Sequence, residues 1–393
     1  MDAFFVEVER RRRPELQRVA VVVAGLGGRG VVSSASYEAR RRGVGSGMPT
    51  AHAQRLCPQA RFLAPDHHAY EEASGEVLAV LESFTPVVEQ VSVDEAFLEI
   101  GGLRLTYPSP TAVGEAIRSA VREQTGLPAS VGLATCKLIA KLASRAAKPD
   151  GLRLVAAGSE HAFLHPLPVR ALWGVGEATY ARLEELGVRT VGELAAVPRA
   201  TLQRRLGEAM GAHLGDLAQA RDDRPVVAGG PAKSISVEET YPADLSGRPS
   251  LESELLRLAD RLASRLRRSG VAARTVVLKV RFGDFRTVNR SCTYPAPLDT
   301  AHELYRAALG LLERAAVGGR PVRLLGLGAE GLSEAGSPRQ LGLESPPWGR
   351  LEAAVDRVRD RFGREAIAPA RLGGRRGGRG SACQNKEEAP PGR

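Results

Sequence analysis

Ser92-Val93-Asp94-Glu95-Ala96-Phe97 joins two short runs rich in β-type residues, 87–93 and 95–100. These runs predict a hairpin with the acid pair at its bend. Successive side chains of a regular strand face opposite ways, so two adjacent carboxylates serve one site only where the strand bends or ends. A hard divalent cation relieves the repulsion between neighbouring carboxylates. The stretch predicts either a cation site or a solvated turn, and the dipeptide alone favours the turn.

The composition is that of a globular protein with an excess of positive charge. The 393 residues include 55 Lys and Arg against 45 Asp and Glu, a net charge of +10, and 43% of the residues are hydrophobic. Length predicts about two to three domains, and the hydrophobic share excludes a wholly disordered chain. The positive charge favours a polyanionic partner.

Several further features bear on where the chain works. It contains no run of about 18 apolar residues, which excludes a membrane-spanning helix, and its first residues lack the pattern of a signal peptide. The four cysteines are scattered without a CxxC pair, which argues against a disulfide or zinc scaffold and fits a reducing compartment. We therefore expect a cytoplasmic monomer that does not contact membranes.

Gly25-Leu26-Gly27-Gly28-Arg29-Gly30 has the spacing of a dinucleotide-binding loop. Such a loop must open a helix, whose dipole then meets the pyrophosphate. The β-type run Val31-Val32-Ser33-Ser34 follows instead. We therefore predict a glycine-rich hairpin here and disfavour an oxidoreductase.

Three other segments combine with the acid pair. Tyr37 and Arg40 are spaced i, i+3, so on a helix a phenol and a guanidinium project from one face and can grip a triphosphate. Lys148 lies in the turn Ala147-Lys148-Pro149-Asp150-Gly151 and offers a third positive group. Taken singly, each of these residues is more simply a surface side chain.

Together, four segments resemble the signature segments of the Y-family DNA polymerases of the DinB or DNA polymerase IV type, in that family's order and near its spacing. They are Met1-Asp2-Ala3-Phe4-Phe5, Ala35-Ser36-Tyr37-Glu38-Ala39-Arg40, Ser92-Val93-Asp94-Glu95-Ala96-Phe97 and Ala147-Lys148-Pro149-Asp150-Gly151. The resemblance extends from Met1 to about residue 365.

The resemblance implies an α+β multidomain fold, a right-hand polymerase with small fingers and an added little-finger domain. The implied domains are a palm (1–8 and 69–155), fingers (9–68), a helix-hairpin-helix thumb (156–224), a linker (225–232), an α/β little finger (233–333), and a C-terminal region (334–393) with a helix, a clamp-binding peptide and a disordered tail.

The resemblance also implies template-directed, low-fidelity translesion synthesis. Two Mg²⁺ ions would hold the incoming dNTP and the primer 3′-hydroxyl, with Asp94 and Glu95 as catalytic metal ligands. Tyr37, Arg40 and Lys148 would hold the triphosphate. Phe5 would be the steric gate that excludes a 2′-hydroxyl, whereas Phe4 is expected in the core.

One departure from the family leaves two interpretations open. In the family, the first metal-binding aspartate precedes the position of Asp2 by two residues, and this chain begins between those two positions. Either the natural start lies upstream, or the chain is a non-catalytic relative that binds DNA and the clamp. The missing strand would also leave a sheet edge unpaired. The other matching positions favour the enzyme.

Further segments predict contacts with primer-template DNA and with a sliding clamp. Gly174 and Gly176 precede a helix, as in a helix-hairpin-helix whose backbone approaches a phosphate. Lys279 and Arg281 share one strand face, opposite Val280, and can follow a duplex backbone. The segment Gln340-Leu341-Gly342-Leu343 resembles a clamp-binding peptide, although Glu344 replaces the usual phenylalanine, and a plain linker is the alternative.

Overall fold

The computed structural model describes residues 1–230, 232–335, 348–363 and 366–372. Contacts between residues divide the chain into two compact units, Met1–Gly230 and Pro231–Arg393. Among the described residues, no helix combines the length and the apolar character needed to cross a membrane.

The first unit alternates helices and short strands. Its helices are α1 (Phe4–Arg12), α2 (Tyr37–Arg40), α3 (Thr50–Leu56), α4 (His67–Glu82), α5 (Pro110–Thr125), α6 (Lys137–Ala146), α7 (Glu160–Leu164), α8 (Glu177–Glu184), α9 (Val191–Ala196), α10 (Arg199–Leu206) and α11 (Glu208–Ala218). Its strands are β1 (Val21–Ala24), β2 (Val32–Ala35), β3 (Arg61–Leu63), β4 (Val88–Ser92), β5 (Glu95–Leu98), β6 (Val131–Leu133) and β7 (Leu152–Leu154).

The glycine-rich loop at 25–30 closes a hairpin, as predicted. Strands β1 and β2 pair antiparallel, and β3 adds parallel to β1. Gly30 must be glycine, since a Cβ there would lie 1.7 Å from the Gly25 carbonyl oxygen. No helix opens at this loop, so the dinucleotide-binding alternative has no structural basis here.

Helix α1 crosses the predicted boundary between palm and fingers at residues 8 and 9. Its buried apolar residues Phe4, Val6 and Val8 are spaced by two rather than by three and four, so the sequence lacks helical periodicity. The helix is buried on several sides, because Glu9 and Arg10 are also buried. Tertiary contacts therefore determine this helix.

The strands around the acid pair do not form one continuous sheet. Strand β4 pairs with β5, β6 pairs with β7, and the described residues include no strand that joins the two pairs. An apolar cavity of about 200 Å³ lies beside them and is lined by residues of α4, α5, β5 and β6. Asp94, Glu95 and Lys148 also line this cavity. The predicted hairpin at 87–100 is confirmed.

The segment predicted as the thumb consists of short helices around an apolar core that also includes Leu138, Ile139 and Leu142 of α6. Leu183, Val191, Leu194 and Leu214 are fully buried there. The first residues of the predicted linker are bound to the neighbouring elements: the Lys137 ammonium donates to the Pro225 carbonyl at 3.2 Å.

The second unit contains a four-stranded antiparallel sheet in the order β10-β9-β11-β8. Its elements are β8 (Ser234–Leu245), α12 (Arg248–Arg268), β9 (Val271–Phe282), β10 (Thr287–Leu298), α13 (Ala301–Ala315), β11 (Val322–Glu334) and α14 (Trp348–Phe362). Strand β8 is not predicted from the sequence, because only Val237 and Tyr241 on it are buried. Among the described residues, helices α12 and α13 pack on one face of this sheet, and the side chains of the other face are partly exposed.

Candidate active site

The acid pair lies at the turn of the β4–β5 hairpin, where Ser92 pairs with Glu95. The Ser92 hydroxyl donates to the Asp94 carboxylate at 2.7 Å, which fixes that carboxylate at the bend. Because the turn interrupts the alternation of the strands, Asp94 and Glu95 both line the cavity. Two adjacent carboxylates can serve one cation site only where a strand bends or ends, and the structure places this pair at such a bend.

Met1 lies against this turn. Its ammonium donates to the Asp94 carbonyl oxygen at 2.7 Å, and its own carbonyl oxygen accepts from the Lys148 ammonium at 2.7 Å. Burial lowers the pKa of the Met1 amino group, and the Lys148 charge lowers this pKa further. Lys148 thus lies beside the acid pair, although the two are far apart in sequence.

The Asp2 carboxylate is buried and hydrogen-bonded within the protein. Its side chain is 1% exposed, and its Oδ2 accepts from the Ser130 hydroxyl at 2.7 Å and from the Asp150 N–H at 2.6 Å. Its Oδ1 lies 3.7 Å from the Lys148 ammonium. These bonds secure the turn that presents Lys148, so Asp2 positions that lysine.

Glu95 forms an ion pair with Lys141 on α6. Magnesium typically takes one or two carboxylates and completes its shell with water and substrate phosphate. Asp94 and Glu95 fit that demand for one ion. The described residues contain no cluster of three or more His, Cys, Asp or Glu side chains suited to a metal, so they do not supply a third carboxylate for a second ion.

Tyr37 and Arg40 lie on one short helix, α2, whose N-terminus is capped by Ser36. The Arg40 guanidinium carbon lies 5.0 Å from the centre of the Tyr37 ring, and Arg40 also donates to the Ala35 carbonyl at 2.9 Å. The Tyr37 hydroxyl is buried without a hydrogen-bond partner among the described residues. Burial raises the pKa of Tyr37, and the charge of Asp2 adds to that rise.

Phe4 and Phe5 have different surroundings. Phe4 is 3% exposed and belongs to the core, as predicted. The partly exposed Phe5 ring stacks on Tyr70, with 4.1 Å between the ring centres and 10° between the planes. The Tyr70 hydroxyl donates to the buried Glu9 carboxylate at 2.8 Å. Tyr70 therefore holds the Phe5 ring in place.

The predicted helix-hairpin-helix loop precedes α8. Gly174 has a φ of +95°, a conformation that favours glycine, and Gly176 is the N-cap of α8. No side chain caps this end of the helix. Arg170 bonds both carboxylate oxygens of Glu177 in the first turn of α8.

Lys279 and Arg281 lie on the open face of the second unit's sheet, opposite the buried Val280. The Lys279 ammonium donates to Glu238 on β8 at 2.8 Å, and Arg281 donates to the Thr287 hydroxyl at 2.9 Å. The partner of Arg290 lies on a helix rather than on a strand, because Arg290 donates to the Arg314 carbonyl near the end of α13. The residues predicted to bind a clamp, Gln340, Leu341 and Leu343, lie outside the described residues.

Sequence reasoning misses three residues that shape the site: Ser130, Tyr70 and Lys141. All three act on partners far along the chain, and for Ser130 and Tyr70 local spacing gives no signal. A weak signal exists for Lys141, because the amphipathic helix α6 carries lysines at 137 and 141, four residues apart and therefore on one face.

Family models cover most of the chain. Residues 1–145 match the impB/mucB/samB family, residues 232–343 match the C-terminal domain of the same family, and residues 170–222 match the thumb domain of DNA polymerase-iota. A solved Y-family DNA polymerase chimera is similar in fold, with a TM-score of 0.77 and 24% identity over 84% of this chain and 96% of that one.

The chain therefore belongs to the impB/mucB/samB family, the Y-family DNA polymerases. The predicted right-hand fold with palm, fingers, helix-hairpin-helix thumb and little finger is confirmed, whereas its detailed boundaries stay predictions.

Curated relatives extend over most of the chain. A protein of Streptomyces coelicolor is 47% identical over 85% of this chain and 70% of its own length. Relatives from Alkalilimnicola ehrlichii and Desulfatibacillum aliphaticivorans are 42% and 39% identical, over 84% and 95% of this chain and 93% and 95% of their own lengths. All three relatives are named DNA polymerase IV.

We expect Asp2→Ala to destabilise the first unit by about 1–3 kcal/mol, because the Ser130 hydroxyl and the Asp150 N–H, both partly buried, lose their acceptor. Thermal unfolding measures this as a lower midpoint. Ser130→Ala leaves Asp2 its bond from the Asp150 N–H but removes the acceptor of the Gly151 N–H, so it should also lower the midpoint. An Asp2→Ala midpoint equal to that of the wild type would contradict the structural role of Asp2.

Proposed function

We propose that this chain adds deoxynucleotides to a primer 3′-hydroxyl under the direction of a template strand, with low fidelity and on damaged templates. One observation carries the proposal: Asp94 and Glu95 share a bend with the Met1 carbonyl and the Lys148 ammonium beside them. The three relatives named DNA polymerase IV support it.

Asp94 and Glu95 would hold Mg²⁺. When bound, the metal supplies charge neutralisation at the triphosphate and lowers the pKa of the primer hydroxyl. A two-ion mechanism needs a further ligand besides these carboxylates. The Met1 carbonyl oxygen is a candidate, because it is adjacent to Asp94 and accepts a bond that Lys148 can give to a phosphate instead.

Tyr37, Arg40 and Lys148 would hold the triphosphate. The Tyr37 hydroxyl is buried without a hydrogen-bond partner among the described residues, which supports this role, since a phosphate oxygen would supply the missing acceptor. Phe5 would lie beneath the sugar. A ring stacked on Tyr70 cannot easily move aside for a 2′-hydroxyl, which supports Phe5 as the steric gate.

Primer-template DNA would be bound by backbone contacts. The uncapped N-terminus of α8 after Gly174 and Gly176 offers amides to a phosphate. Lys279 and Arg281 would contact the duplex backbone from the open sheet face. We further propose a sliding clamp as partner through Gln340, Leu341 and Leu343, and a monomer that works in the cytoplasm.

A non-catalytic DNA- and clamp-binding role is the second candidate. It rests on the presence of two rather than three carboxylates among the described residues around the proposed metal position. The relatives named DNA polymerase IV favour the enzyme. Primer extension by the chain distinguishes the two candidates.

We expect Asp94→Ala to abolish Mg²⁺-dependent primer extension, because the metal loses a ligand, while primer-template binding remains. Gel-based extension and fluorescence anisotropy measure the two properties. Glu99→Gln, at an exposed acid of the same hairpin, is the control and should extend normally. A wild-type chain that binds primer-template without extending it would refute the proposal and support the binding role.

We expect Phe5→Ala to raise ribonucleotide incorporation relative to deoxynucleotide incorporation by about ten- to two-hundredfold, because the obstacle to the 2′-hydroxyl is removed. The ratio of kcat/KM for the two nucleotides is the readout. Tyr70→Leu, which removes the stacking partner, should give a smaller rise. Unchanged sugar discrimination in Phe5→Ala would eliminate the gate role.

We expect log affinity for primer-template to fall steeply with log salt, because phosphate contacts dominate. Lys279→Gln should reduce the magnitude of that slope by about one. Glu238→Gln, which releases the Lys279 ammonium from its ion pair, should tighten binding. If both variants match the wild type at all salt concentrations, the open sheet face does not bind DNA.

A further inference from the structure

Lys141 connects the acid pair to another part of the first unit. Its ammonium forms an ion pair with Glu95, and its side chain is 31% exposed. The same ammonium lies 5.0 Å from the centre of the Trp173 ring. One cation thus has two favourable partners, a carboxylate and an indole face.

Arg224 is the second cation beside the Trp173 ring. The Arg224 guanidinium carbon lies 5.1 Å from the ring centre, and Arg224 bonds both oxygens of Asp222 at 2.5 and 2.8 Å. Asp222 is buried and accepts from the Leu138 N–H at 2.9 Å. Arg224 is therefore anchored, whereas Lys141 ends a flexible four-carbon chain.

We propose that Lys141 is a positioning residue that alternates between Glu95 and Trp173. It neutralises Glu95 while the divalent cation is absent, and it moves fully onto the indole when the cation takes the Glu95 carboxylate. The inference rests on the proposed metal role of Glu95. An ammonium cannot ligate a metal, and a dication repels it, so the displaced charge needs another partner nearby.

The Trp173 ring is a suitable acceptor for this charge. It is 39% exposed, so an ammonium beside it keeps part of its hydration. Trp173 also directly precedes Gly174 of the proposed DNA-binding loop. Binding of a divalent cation at the acid pair would therefore change the position of Lys141 beside this loop.

Trp173 can report this exchange directly. The chain has two tryptophans, so Trp348→Phe leaves Trp173 as the sole indole. In this background we would titrate Mg²⁺ alone, without DNA or nucleotide, and record Trp173 emission beside calorimetric metal binding. We would then compare Lys141→Met, Lys141→Arg and Glu95→Gln, with circular dichroism to verify folding.

The expected result is an emission change with the same midpoint as metal binding. Lys141→Met should abolish the emission change and bind Mg²⁺ about two- to fivefold more tightly, because a surface ion pair no longer competes. Lys141→Arg should restore the affinity towards that of the wild type. Glu95→Gln should give no emission change.

Three outcomes overturn the inference, at two levels. Metal binding with no change in Trp173 emission, or with the same affinity in Lys141→Met, refutes the exchange and leaves the proposed function intact. No metal binding by the parent chain refutes the metal role of Glu95 and the exchange with it.

Discussion

Two carboxylates held side by side at a bend need positive charge around them, and the first unit is arranged to supply it. The Lys141 ammonium forms an ion pair with Glu95, and the Lys148 ammonium lies beside the acid pair and donates to the Met1 carbonyl oxygen. Without these charges the acids would repel each other. The buried contacts of Asp2 hold the turn that carries Lys148, and α6 carries Lys141.

This arrangement suits a site that exchanges one set of cations for another. The ammonium groups of Lys141 and Lys148 supply positive charge beside the acids in the free protein, and each also has an alternative partner in the proposed reaction. Lys148 can bind phosphate, and Lys141 has the indole of Trp173 beside it. A divalent cation can therefore enter without leaving an uncompensated lysine charge, which would be costly where the site is partly buried.

Much of this could be predicted from the sequence, for identifiable reasons. The hairpin at 87–100 and helix α14 follow local apolar patterns, and the structure confirms both. Helix α1 and strand β8 could not be predicted, because long-range packing decides the first and few residues are buried on the second. At the site, the acids were evident from local pattern, whereas the ion pair of Lys141 with Glu95 spans 46 residues.

The central claim is that Asp94 and Glu95 exist to bind a divalent cation against nucleotide phosphates. Anomalous diffraction from crystals soaked with Mn²⁺ and a non-hydrolysable dNTP tests it most directly. The account predicts a peak within ligand distance of the carboxylates of Asp94 and Glu95 and of a triphosphate oxygen. Bound nucleotide with no anomalous peak at these carboxylates would contradict it.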